Sequence, residues 1–99
     1  MYALRTTVRY DGDYVYQIEV PGVAVECLDV IVERYDQLNV QVYVNVIDAN
    51  HTLFGKHLLM TIGFEYSSDI SCELCNGILI IRVPDPYTNP IHLPIHHVH

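Results

Sequence analysis

An all-β, immunoglobulin-like sandwich of about seven antiparallel strands is the fold class that the sequence predicts. Three observations carry that prediction. Apolar residues recur at every second position over most of the chain, the period of a strand with one buried face. Turn-forming residues fall about every ten positions, the spacing of a short-stranded sandwich. No segment carries the 3.6-residue period of an amphipathic helix.

Each element follows from local pattern. Asp11-Gly12-Asp13 reads as a hairpin turn, because glycine accepts the backbone angles such turns need. Beyond it Tyr14, Tyr16, Ile18 and Val20 share one face, and Val15, Gln17 and Glu19 the other; Pro21-Gly22 then ends the strand. Leu28, Val30 and Val32 alternate with Asp29, Ile31 and Glu33. Tyr35-Asp36-Gln37 is a short link to the clearest strand, where Leu38, Val40, Val42, Val44 and Val46 alternate with Asn39, Gln41, Tyr43 and Asn45. Its β-branched valines suit a pleated surface better than a helix. Asp48-Ala49-Asn50-His51 opens a loop that closes near Gly55, and another strand covers 57–64. Asn76-Gly77 is a two-residue hairpin signal between strands at 71–74 and 78–83.

The chain divides into a sandwich over 1–84 and an extended tail over 85–99. Pro84, Pro86, Pro90 and Pro94 keep the tail out of any sheet interior. Yet Ile91, Leu93 and Ile95 recur at period two within it, with His92 and Pro94 between them. Apolar side chains on a solvated arm gain nothing unless they dock.

Composition narrows the function. Of the 99 residues, 51% are hydrophobic and 17% charged, enough apolar surface to offset chain entropy and exclude disorder. Twelve acidic against five basic residues give a formal charge of −7, which argues against nucleic acid or an anionic membrane surface as partner. The apolar run Ile78-Leu79-Ile80-Ile81 stops at Arg82, far short of the roughly 20 residues that span a bilayer. The N-terminal residues lack a signal-peptide profile, and Cys27, Cys72 and Cys75 are an odd number; the expected setting is reducing and cytoplasmic.

Chemistry is sparse. Cys72-Glu73-Leu74-Cys75 has the spacing of half a zinc knuckle, but it lacks a second pair, and residues three apart on a strand face opposite ways. His92, His96, His97 and His99 crowd the tail without a defined ligand geometry. Tyr10, Tyr14 and Tyr16 cluster in the first hairpin, as an interface patch or as the edge of the sandwich. Neither a nucleophile-elbow motif nor a phosphate-cradling glycine loop is present. The expectation is a protein with no catalytic residues, no metal and no cofactor.

In this order and spacing the segments resemble the α-crystallin domain of the small heat-shock proteins. Residues 11–23 are similar to the family's strand ending in Pro-Gly-Val, and Cys27-Leu28-Asp29-Val30-Ile31-Val32 to its next strand. Residues 70–84 resemble its Asn-Gly hairpin, and Ile91-His92-Leu93-Pro94-Ile95 its tail anchor in two overlapping versions. The resemblance covers about residues 6–95. It implies an ATP-independent holdase that binds non-native proteins and self-associates into dimers or larger oligomers. It also implies that the anchor residues Ile91, Leu93 and Ile95 dock in a groove formed by Leu28, Val30 and Val32 with Ile70, Cys72 and Leu74. Protonation of His92, which interrupts the anchor, is then expected to weaken docking in an apolar groove. Three departures accompany the resemblance. Strand pattern begins almost at Met1, the loop after Val46 is short for a dimer-swapping strand, and 57–63 replaces the family's Arg-x-Phe-x-Leu-Pro stretch. They motivate an alternative reading, a structural subunit or adaptor of a host assembly such as a virus particle.

Overall fold

A computed structural model describes residues 4–87 and 93–98. It is all-β, with seven strands in two antiparallel sheets. In chain order these are β1 (Thr6–Tyr10), β2 (Asp13–Glu19), β3 (Leu28–Arg34), β4 (Asn39–Val46), β5 (Gly55–Gly63), β6 (Ser71–Cys75) and β7 (Ile78–Pro84). One sheet runs β1-β2-β7-β6 and the other β3-β4-β5. Single 3₁₀ turns at Val25–Cys27 and Phe64–Ser67 link the sheets.

Turn chemistry sets the connections. Asn76 and Gly77 both have positive φ, 50° and 77°, the pair of left-handed conformations that lets a two-residue turn follow the strands' own twist. At Pro21-Gly22 the Val23 amide donates to the Val20 carbonyl at 3.2 Å, and Gly22 has φ 75°. Proline then glycine at the two central positions is the type II pattern. Between β3 and β4, the Asp36 carboxylate accepts from the amides of Leu38 and Asn39, each at 2.8 Å. Those bonds, the Leu38 amide foremost, hold its acid below the ordinary carboxylate range. The loop 47–54 is pinned by histidine. Nδ1 of His51 accepts from the Leu53 amide at 3.0 Å, so its Nε2–H donates to the Pro21 carbonyl at 2.7 Å.

The core lies between the sheets. Ile18 of β2 and Val20 just after it, Val42, Val44 and Val46 of β4, and Leu79, Ile81 and Val83 of β7 are buried there. Removal of each such side chain from water stabilises the fold by about 1.5–3 kcal/mol. One expectation needs correction, and one buried side chain lies outside this core. Val15 is fully buried although it faces away from this core. It lies between Arg9 and Arg82 in register, and both guanidinium groups are drawn to Asp11 at 2.7 and 3.4 Å, so the aliphatic stems of the two arginines cover it. Leu38 does not begin β4 but sits in the preceding turn, 74% exposed.

Candidate functional site

Four strands have a free edge, β1, β3, β5 and β6; β3 and β6 are the two that carry the residues expected to form a groove. In register, Leu28, Val30 and Val32 stand opposite Val46, Val44 and Val42 of β4, which are buried. Cys72 and Leu74 likewise stand opposite buried Ile81 and Leu79 of β7. All five therefore share the inward faces of their sheets. β3 ends one sheet and β6 the other.

The way the sheets overlie one another puts these edges on one side. Tyr14 and Tyr16 of β2, Val83 of β7 and Ile62 and Gly63 of β5 line a common cleft of about 250 Å³, with Tyr66. β5 therefore lies over β2, and stepping across both sheets sets β4 over β7 and β3 over β6. Of the six residues expected to form a groove, Leu28, Val30, Ile70 and Leu74 pack against the core. Val32 is 44% exposed, and Cys72 is exposed at the rim. Partial burial on the inward face still pushes the Cys72 thiol above its ordinary range. Cys75 falls on the outward face beside the Asn76-Gly77 turn. The two sulfurs of the Cys-x-x-Cys segment therefore point apart, and among the described residues no three His, Cys, Asp or Glu side chains form a metal-binding group.

The opposite side is bridged by the chain's own aromatic rings. Tyr10, Tyr14, Tyr66 and Tyr87 form a ladder of tilted and edge-on ring pairs with centroids 4.9, 6.1 and 6.0 Å apart. The Tyr10 hydroxyl donates to Asp85 at 3.0 Å, and that bond is the main cause that raises its pKa. Tyr16 lines the cleft without joining the ladder. Each ring pair contributes about 0.5–1.5 kcal/mol beyond its buried area.

The apolar side chains of the described tail residues 93–98 are not buried against their own chain. Residues 93–98 have no strand pairing, and Leu93, Ile95 and Val98 are 81%, 95% and 77% exposed. Ile91 and His92 lie outside the described residues. The radius of gyration is 17.2 Å, against about 13 Å for a compact chain of this length.

Sequence reasoning missed the charge around the open side. Glu26, Asp29 and Glu33 border β3, and Asp69 and Glu73 border β6; all five are exposed. Lys56 compensates one of them, donating to Glu33 at 2.9 Å while its ammonium sits over the Tyr43 ring. The signal was present in the sequence: neither 10–33 nor 57–81 contains a lysine or an arginine.

No family model matches the sequence, and no curated protein matches it. Solved structures do. Heat shock protein 16.0 from Schizosaccharomyces pombe superposes with a TM-score of 0.59 at 19% identity, over 99% of this chain and 100% of that one. A small heat-shock protein from Xylella fastidiosa gives 0.57 at 14% identity, over 97% and 98%. HSP18.5 from E. histolytica gives 0.55 at 21% identity, over 96% and 100%. The sandwich is thus the α-crystallin fold of the small heat-shock proteins. At these identities the likeness is one of fold.

Proposed function

We propose that this chain is a non-catalytic, ATP-independent holdase of the small heat-shock type that self-associates through its C-terminal anchor. One observation carries the reading: an apolar seam lies open between two edge strands, on a chain whose tail holds apolar residues it does not bury. An edge strand offers unpaired backbone groups and pockets for alternate side chains, and an extended peptide satisfies both by adding as a strand. Leu93 and Ile95 are spaced as such a peptide requires, and Ile91 continues the series. The tail of a second copy occupies the seam between Leu28, Val30 and Val32 and Ile70, Cys72 and Leu74. The sandwich is residues 1–84 and the anchor-bearing arm 85–99.

Client capture uses the same physics. A non-native protein exposes extended apolar segments, which compete with the tail for the seam and its flanking edges. Binding of this kind needs no chemical step and no cofactor. The likeness in fold to small heat-shock proteins, one of them described as having a distinct high-order structure, supports the class. The three free cysteines suit a reducing compartment such as the cytoplasm.

The test is suppression of aggregation. With a heat-aggregating client, the chain at a few-fold molar excess is expected to hold light scattering near baseline without ATP. Unchanged client scattering at several-fold excess would refute the holdase. The assembled mass of wild type and of the Leu93→Ala/Ile95→Ala double variant then tests the anchor; equal masses would refute self-association through the tail.

A further inference from the structure

The charges of the chain are divided between its two parts. All twelve acidic and all five basic residues lie within 1–85. The tail from Pro86 onward has no acidic or basic residue except four histidines, His92, His96, His97 and His99. Three of them bracket the anchor, one before Leu93 and two after Ile95.

The open seam presents the opposite charge. Around it stand Glu26, Asp29, Glu33, Asp69 and Glu73. The cations of the neighbouring elements are engaged: Lys56 with Glu33, Arg82 with Asp11 and Asp13, and Arg34 over the Phe64 ring at 4.5 Å. Cys72 is the other titratable group on the inward face, and its raised pKa keeps it neutral in the range concerned.

We infer that the docking of the tail on a second copy is tuned by pH, tightening as the tail histidines take up protons beside the carboxylates that rim the β3/β6 seam. The inference rests on the tail-docking reading above and adds its regulation. In an extended peptide whose Leu93 and Ile95 point into the seam, His92 and His96 point outward to the rim. Imidazoles ordinarily gain their proton between pH 7.5 and 5.5, where carboxylates keep their charge. This reverses the sign expected from an apolar groove alone, because the acidic border meets the imidazolium at the rim.

Each exposed imidazolium–carboxylate pair contributes a factor of about two to five in affinity at low ionic strength. Several together give about a tenfold tightening of self-association between pH 7.5 and 5.8, lost near 1 M salt, where the screening length falls to about 3 Å. A second effect acts in the same direction: self-repulsion of an acidic chain falls as the pH approaches its pI of about 5.1. The experiment separates them.

Sedimentation of the full chain would be measured between pH 7.5 and 5.8 for wild type, for a variant with His92, His96, His97 and His99 all changed to Gln, and for Asp29→Asn/Glu73→Gln. The expected result is the tenfold rise in wild type, a much smaller rise in the histidine variant, left by the fall in self-repulsion alone, and a reduced slope in the rim variant. A wild-type profile that is flat, or a rise that persists undiminished in the histidine variant, overturns the inference. Leu93→Ala/Ile95→Ala keeps the two readings apart. If that variant dissociates at every pH while the wild-type profile is flat, docking stands and only its regulation fails; if it assembles like wild type, the docking reading itself fails.

Discussion

The two open sides of a β-sandwich present the same physical problem, and this chain treats them differently. On the β2/β5 side, residues distant in sequence bridge the gap: Tyr66, after β5, stacks on Tyr14, Tyr87, after β7, stacks on Tyr66, and Tyr10 stacks on Tyr14. On the β3/β6 side the described residues bring no such cover. Val32 remains 44% exposed and Cys72 stands at the rim. A side bridged by its own aromatic rings gains stability from their contacts. A side left apolar, edged by unpaired backbone and ringed by carboxylates, trades stability for binding. That difference is why the proposed docking is assigned to the second side.

That contrast yields four expectations, from the largest effect to the smallest. Ile81→Ala, in the core that both sides share, is expected to cost about 2–5 kcal/mol in urea unfolding, with no selective effect on assembly. Tyr14→Ala breaks the ladder at its centre. It is expected to cost about 2 kcal/mol, because a large half-buried ring is lost with two ring contacts, and to leave the assembled mass unchanged. A variant that instead altered the mass would mean the aromatic side is an interface. Val32→Asp, on the open side, is expected to change stability by about 0.5–1 kcal/mol, since the site is already partly exposed, yet to disperse the assembly at neutral pH.

Smallest is Asp36→Ala in the β3–β4 turn. The folded-state pKa of Asp36 is depressed, so its contribution is present above the acid's unfolded pKa and is lost as the pH falls through the folded value. A small drop in Tm at pH 7 is therefore expected, shrinking to nothing in strong acid. A drop of the same size at every pH would mean the carboxylate acts through something other than its charge and hydrogen bonds.

Much of the fold was legible because its determinants are local. The alternating valines of β4, the Asn76-Gly77 turn and the Pro21-Gly22 turn are each set by a few neighbouring residues, and each stands where their pattern put it. Val15 takes the face that alternation gives it, but its burial there was not legible, because Arg9 and Arg82 are brought beside it only by the pairing of β1, β2 and β7. Leu38 misled because alternation alone does not reveal that Asp36 holds the chain in a turn there. The tyrosine ladder joins rings more than 50 positions apart, beyond any periodicity argument. As for the site, the inward alternation on β3 and β6 could be read in the sequence. The acidic rim showed there only as two long stretches without lysine or arginine; that both border one side follows only from how the two sheets overlie.

Cys72 offers a direct probe of the open side, since it lies where the anchor would rest while Cys75 faces outward three residues away. Alkylation of the full chain at pH 8, followed residue by residue by mass spectrometry, would be compared between wild type and Leu93→Ala/Ile95→Ala. If the tail of a second copy occupies the seam, Cys72 reacts several-fold faster in the anchor variant while Cys75 reacts at the same rate in both. Equal rates at Cys72 in the two proteins would contradict the account.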